Sequence, residues 1–354
     1  MDRELSFLEA KQLLTDLIRI PSISREEEAL ADFLERHIEL EGIESGRMGN
    51  NIWCLSPGFN TQKPTILLNS HIDTVKPVSG WTIDPFTPLE ENGKLYGLGS
   101  NDAGASLVTL FEVFKILSSS NQSYNLIFLA SCEEEISGSK GIESVISLLP
   151  PIDFAIVGEP TEMQPAIAEK GLMVLDVATQ GKSGHAARNE GVNAIYKALD
   201  DILWFKNHHF NNVSEVLGEV KMTVTQIESG TQHNVVPDKC SFVVDIRSNG
   251  LYSNKEIYEI IQKNISSQAT PRSTRLNASH LPKDHFFIKR AQQLGLIPIG
   301  SPTLSDQSLM PFPSVKIGPG NSARSHTANE YILLSELEEA TPIYYNLLNG
   351  LKVE

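Results

Sequence analysis

The amino-acid sequence predicts an α/β protein with a smaller α+β domain inserted into a larger α/β one. Three observations carry that prediction. Short apolar runs of strand length alternate with helical spacings through the first 170 residues. Between 171 and 280 the texture changes to half-exposed strands and helices in the order β-α-β-β-α, most of a split βαβ unit. From 281 to 354 apolar helices and a strand resume. The expected division is therefore 1-170, 171-280 and 281-354, the outer two segments forming one domain.

Each element has a local reason. Ser6 with Glu9, and Ser24 with Glu27, read as S-x-x-E capping boxes opening two helices. Leu30, Phe33, Leu34 and Ile38 recur at helical spacing, and Gly42 supplies a stop. Runs at 52–55, 65–69, 126–130 and 154–157 are mostly apolar on both faces, as in a sheet covered by helices, and 105–117 has helical spacing. In the inserted stretch, 172–179, 220–227 and 241–246 read as strands, and 192–205 and 254–265 as helices. A closing strand is not evident, since 271–277 is only weakly apolar. A helix at 286–293, a strand at 315–317 and a helix at 335–348 complete the chain.

Composition narrows the function classes. The 354 residues carry a formal charge of −15, which argues against a broad nucleic-acid footprint. No apolar run approaches the roughly 20 residues that span a bilayer, and the opening MDRELSFLEAKQ lacks a signal-peptide layout, so a cytoplasmic protein with no membrane partner is expected. Cys54, Cys132 and Cys240 are odd in number and far apart, so no disulfide framework is expected.

The chemistry-bearing residues sit at strand ends. His71 and Asp73 follow the run at 65–69 and share one side of an extended chain. Alone, the pair is as well read as a polar strand end. Asp102 stands at the mouth of a helix, where an N-cap is the plain alternative. Glu133, Glu134 and Glu135 end the run at 126–130, and three adjacent carboxylates repel unless a cation or proton compensates. Glu159 in GEPT ends another apolar run, and His326 lies in the loop after 315–317. Carboxyl ends of strands are where open α/β sheets bind ligands. This mixed oxygen and imidazole set suits zinc, cobalt or manganese, and no Cys pair offers a thiolate site.

In this order, His71-Ile-Asp73, Asp102, Glu134-Glu135, Glu159 and His326 resemble the di-zinc metallopeptidase family of acetylornithine deacetylase, succinyl-diaminopimelate desuccinylase, aminoacylase and carboxypeptidase G. The resemblance covers essentially the whole chain. It implies a zinc-peptidase-like catalytic domain with an inserted ferredoxin-like lid and dimerisation domain. It implies two divalent ions, zinc first and cobalt as the alternative, with His71 and Glu159 on one, Glu135 and His326 on the other, and Asp102 bridging. Asp73 would orient His71 and Glu134 would be the general base. In Lys182-Ser-Gly-His185, the histidine resembles the family's lid residue that stabilises an oxyanion in the partner subunit. Asn234 and Arg247 resemble substrate contacts, with backbone N–H groups at Gly318 and Gly320 assisting. The plain alternatives are a surface His185 and a cross-strand ion pair at Arg247. His37, His208, His209, His280 and His285 match no motif and are read as surface residues. Two departures stand out: Ala103-Gly104-Ala105 replaces the frequent x-Lys-Gly, and Glu133 replaces an aspartate.

The expected function is hydrolysis of an Nα-acyl group, acetyl or succinyl, from ornithine or a related basic amino acid, in arginine biosynthesis, by a homodimer joined through the lid. Arg324 and Lys76 could accept the extra carboxylate of a succinyl group. A succinyl-diaminopimelate desuccinylase, a di- or tripeptidase, and a metal-binding protein without catalysis are the alternatives.

Overall fold

A computed structural model describes residues 3–353. Its elements run α1 (Arg3–Ile18), α2 (Glu28–Leu40), β1 (Ser45–Met48), β2 (Asn51–Leu55), β3 (Thr65–His71), β4 (Leu89–Glu91), β5 (Lys94–Tyr96), α3 (Ala105–Ser118), β6 (Asn125–Ser131), α4 (Ile142–Val145), β7 (Phe154–Val157) and β8 (Ala166–Glu169). Then come β9 (Met173–Gln180), β10 (Gly184–His185), α5 (Ala194–Asn207), β11 (Lys221–Ser229), β12 (Val235–Val236), β13 (Lys239–Arg247), α6 (Asn254–Asn264), β14 (Gln268–Pro271) and β15 (Ser279–His280). The chain ends with α7 (Phe286–Gln293), β16 (Ile299–Ser301), β17 (Ser314–Lys316), β18 (Tyr331–Leu333) and α8 (Leu334–Leu348). Contacts divide it into two units. One holds the residues up to Ile167, Leu281–Ile299 and those from Ser305 onward; the other holds Ala168–His280 and Gly300–Leu304.

In the first unit the strands follow the order β1-β2-β6-β3-β7-β17. β6, β3, β7 and β17 are mutually parallel. Every residue of β3 and β6 is buried, which is why these runs are not amphipathic. One face packs Leu67, Ile127, Leu129 and Ala155 with Ile142 and Val145 of α4. The other presents Phe128 to Phe111 and Phe114 of α3, at ring centroid distances of 5.1 and 6.1 Å. Because these strands run parallel, their carboxyl ends lie along one edge. His71, the Glu133–Glu135 turn, Glu159 and the loop to His326 all begin there.

Both capping boxes expected at the N-terminus are absent. Ser6 lies inside α1 and its hydroxyl donates to the Arg3 carbonyl. α2 begins at Glu28 with no side-chain cap, and Ser24 and Glu27 point to other partners, given below. Asp102 does not cap α3, which starts at Ala105 without a side-chain cap.

The second unit has an antiparallel sheet in the order β11-β13-β9-β14, the arrangement of a split βαβ unit. Met173, Leu175, Val177, Phe242, Val244 and Ile246 face Ala198 and Phe205 of α5 and Ile257 and Ile261 of α6. The closing strand lies slightly before the weakly apolar stretch. β14 buries only Ala269 and ends at Pro271, so it leaves almost no alternating pattern to read. Among the described residues no helix is long and apolar enough to cross a membrane.

Candidate metal centre

The site is built on the first unit's carboxyl edge. At the end of β3, His71 is buried and its Nδ1 lies 2.9 Å from the Asp73 main-chain carbonyl. A carbonyl can only accept, so Nδ1 carries a proton, and in the neutral ring the Nε2 lone pair faces the site. From Nε2, Asp102 Oδ1 is 3.4 Å away and Glu159 Oε1 3.7 Å. The exposed His326, with φ of 59° in the left-handed region, places Nε2 2.9 Å from Glu135 Oε2 and 3.5 Å from Asp102 Oδ2. Asp102 thus offers one oxygen to each histidine. Two donors on one tetrahedral zinc with bonds of about 2.0–2.1 Å stand about 3.4 Å apart. The observed spacings are close to that, so the residues fit a divalent-cation site.

Electrostatics points the same way. Burial, followed by Asp102, pushes Glu159 up to about 8. Burial, followed by Glu159, pushes Glu134 well above the ordinary carboxylate range. Burial would lower the His71 imidazole, but the Asp102 hydrogen bond and the charges of Glu134 and Glu159 carry it well above its usual value. The hydrogen bond to Glu135 raises His326 to about 9. Carboxylates this crowded hold protons unless a cation compensates, and a divalent cation would supply that charge.

The Glu133–Glu135 turn is held from beneath. Asp73 Oδ1 accepts the Glu134 N–H at 2.9 Å, and Oδ2 accepts the Glu135 N–H at 3.1 Å and the Ser24 hydroxyl at 2.6 Å. The expectation that the Asp73 carboxylate orients His71 is therefore replaced: the main-chain carbonyl does that, and the carboxylate, 3.7 Å from Nδ1, grips the turn. Buried Glu27 accepts the N–H groups of Arg25 (2.7 Å) and Glu133 (3.2 Å), and Asn50 Nδ2 at 3.0 Å. Glu134 itself can also join His71 and Glu159 within ligand distance of one ion.

Several neighbours carry no sequence motif. Asp306 is buried and accepts Asn69 Nδ2 at 3.1 Å and Ser131 Oγ at 2.7 Å, tying the ends of β3 and β6. Glu330 accepts the N–H groups of Asn101 and Asp102. Lys316 is buried at the end of β17, and its charge offsets part of the carboxylate excess at Glu159. A lone lysine in an apolar strand was the one visible signal for it.

Other expected residues are placed differently. The Gly318 N–H donates to Thr161 Oγ1 at 3.1 Å, so it is not an open donor for a substrate. A Cβ at Gly318 would strike Ser106 Oγ and the Glu159 backbone, and one at Gly320 would strike the Asn101 side chain. Both glycines serve close packing. Arg324 forks onto Glu336 at 2.6 and 2.7 Å and stacks 4.8 Å over Tyr331, which occupies the group expected to read a second carboxylate.

His185, Asn234 and Arg247 belong to the second unit. Exposed His185 on β10 pairs with Val235, and its Nδ1 accepts the Ala187 N–H at 3.1 Å. The Asn234 carbonyl accepts the Ala186 N–H at 3.0 Å, so these two residues adjoin. Arg247 Nε and Nη2 grip Asp245 at 2.8 and 3.0 Å, two residues back on the same strand and not across strands. β9 runs from Met173, beside Ile246, to Gln180, beside Lys239. Arg247 therefore lies at one end of this sheet and the His185 turn leaves from the other.

A sheet edge bearing clustered carboxylates and imidazoles is the donor set of a metal-dependent enzyme. Residues 67–350 match the family described as Peptidase family M20/M25/M40, and the chain belongs to it. The acetylornithine deacetylase of Proteus mirabilis is 27% identical, with 96% of each chain covered. The aminopeptidase PepT of Bacillus cereus superposes with a TM-score of 0.78 at 19% identity over 98% of both chains. A dinuclear metal-binding peptidase of the M20 family from Bacillus subtilis gives 0.75 at 15% identity, covering 98% of this chain and 99% of that one.

Proposed function

We propose that this enzyme hydrolyses the amide of an Nα-acylated basic amino acid, with N-acetylornithine the leading substrate. The observation that supports it most is Asp102 shared between His71 and His326 with Glu134 alongside, in a chain similar over its full length to acetylornithine deacetylases. His71 and Glu159 would hold one cation, Glu135 and His326 a second, and Asp102 both, with zinc preferred for this donor set. A cation held by these residues would supply a lowered pKa for water and polarisation of the amide carbonyl. Glu134 takes the proton of the attacking water and delivers it to the departing amine nitrogen. Asp73 and Glu27 hold that carboxylate in place through the turn's N–H groups. Because the Ala187 N–H donates to Nδ1, the neutral His185 ring carries its proton on Nε2 and can donate it to the oxyanion. Arg247 retains Nη1 for a substrate carboxylate while Asp245 fixes its fork. The occupied Arg324 favours acetyl over succinyl.

Free-amine release by the zinc-loaded protein from N-acetylornithine and N-succinylornithine, side by side, tests the reading. Acetylornithine is the expected better substrate. Silence on both with cleavage of dipeptides would overturn it in favour of a peptidase. The cytoplasm suits the three buried free thiols of Cys54, Cys132 and Cys240.

The working form we propose is a homodimer joined through the second unit. One chain holds Arg247 and His185 at opposite ends of one sheet, which supports a partner chain as the source of one of them. The contact face is supported by exposed Ile195, Tyr196, Leu199 and Leu203 on α5 and Ile227 on the edge strand β11. Leu199→Glu is expected to sediment as a monomer and to lose about 10²–10³-fold in kcat with its oxyanion donor. A wild-type chain that is already monomeric and active would refute the dimer.

A further inference from the structure

We infer that Glu330 is a positioning residue that fixes the orientation of the bridging Asp102 and so sets the affinity of the centre for its cations. This rests on the reading of the site as a metal centre. Glu330 is buried in the loop that ends at β18, and its Oε1 accepts two consecutive backbone N–H groups, Asn101 at 2.9 Å and Asp102 at 3.0 Å, while the carboxylate also takes the Gly99 N–H. Its own carbonyl accepts the Gly97 N–H at 3.0 Å, so main chain and side chain together clasp the segment leading into Asp102.

That segment is a single wide turn, closed by the Gly104 N–H on the Gly99 carbonyl at 2.9 Å, in which Asp102 and Ala103 leave the helical frame. Asp102 sits at φ −120° and ψ 95°, and α3 begins only at Ala105. The Ser325 hydroxyl reaches the Asp102 carboxylate directly, and the clasp fixes the backbone from which that carboxylate projects. The orientation matters because its two oxygens face different histidines, 3.4 Å from His71 Nε2 and 3.5 Å from His326 Nε2. A rotation that suits one histidine moves the other oxygen away from its own.

Asn101 extends the clasp to the second histidine. Its Oδ1 accepts the Asn321 N–H at 3.1 Å, and its Nδ2 donates to the Asn321 carbonyl at 3.2 Å and to Ser325 Oγ at 3.3 Å. Ser325 precedes His326. Thus Glu330 fixes the bridging carboxylate by its amide, while the neighbouring asparagine ties the same turn to the loop that carries His326. Partners behind metal ligands typically change metal affinity or activity about 10–100-fold when removed.

The pair of N–H groups on one oxygen makes the proposal testable. Glu330→Gln keeps an oxygen that can take both N–H groups, whereas Glu330→Ala removes it. The full-length chain, stripped of metal, is titrated with zinc chloride by calorimetry, and kcat and KM are measured after loading. Glu330→Ala is expected to bind zinc about 10–100-fold more weakly and to lose kcat with little change in KM, while Glu330→Gln behaves as wild type. Should the alanine variant not fold, Glu330→Asp, which withdraws the carboxylate by one methylene, takes its place with the same expected direction. Wild-type zinc affinity in Glu330→Ala, with only the metal-free protein less heat-stable, would show a merely structural residue and overturn the inference. A Glu330→Gln variant as impaired as alanine overturns it too. If the wild-type chain itself takes up no zinc, the metal reading fails first, and this inference with it.

Discussion

Glu134→Gln is expected to lower kcat by about 10²–10⁴-fold or more while zinc content stays at the wild-type level. The side chain is placed for proton transfer: its backbone N–H is pinned by Asp73, and burial with Glu159 nearby raises its proton affinity, so the carboxylate can take the water's proton and then pass it on. Glutamine keeps the shape and removes the transferable proton. The structure also allows a competing role, since Glu134 stands within ligand distance of the position shared by His71 and Glu159. Zinc content separates the two. A base that is not a ligand leaves stoichiometry unchanged with turnover gone; a ligand loses metal and turnover together. Full activity in Glu134→Gln would remove it from both roles.

How much of this was legible before the structure depends on the range of each contact. The carboxyl ends of β3, β6 and β7 were readable because an apolar run followed by His71, Glu134–Glu135 or Glu159 is a local pattern. What anchors those residues was not. Ser24 and Glu27 have the spacing of a capping box, yet the buried pocket beneath the catalytic turn takes both side chains, and tertiary hydrogen bonds outweigh a helix cap. Glu330 reaches Asn101 across 229 residues of sequence and Asp306 reaches Asn69 across 237, and no periodicity records such contacts. Arg324 failed as a substrate reader for the same reason, because Glu336, 12 residues on, claims its fork. β14 was hidden by its solvent exposure: a strand that buries one residue leaves no alternation to see.

Chelation is expected to abolish turnover and to lower the thermal midpoint by several degrees, and zinc is expected to restore both. The argument begins from charge. With no cation bound, Asp102, Glu134, Glu135 and Glu159 crowd around two imidazoles, and the site balances itself by holding protons at Glu159, up to about 8, and at His326, up to about 9. Zinc must displace those protons. As pH rises from 6 toward 9 there are fewer to displace, so zinc affinity increases across that window and loading releases protons into the buffer. A ligand present at 100 times its dissociation constant stabilises the fold by about 2.7 kcal/mol, which for a unit of this size is several degrees. Asp102→Asn should weaken both positions together, because one carboxylate serves His71 and His326, whereas His326→Ala should spare the position held by His71 and Glu159. Calorimetric titration at pH 6.5 and 8.5 with melting curves in chelator and in zinc checks the whole chain of reasoning. Melting that ignores zinc, or affinity that falls with rising pH, would mean the cluster is a set of buried acids held together by protons and not a metal centre.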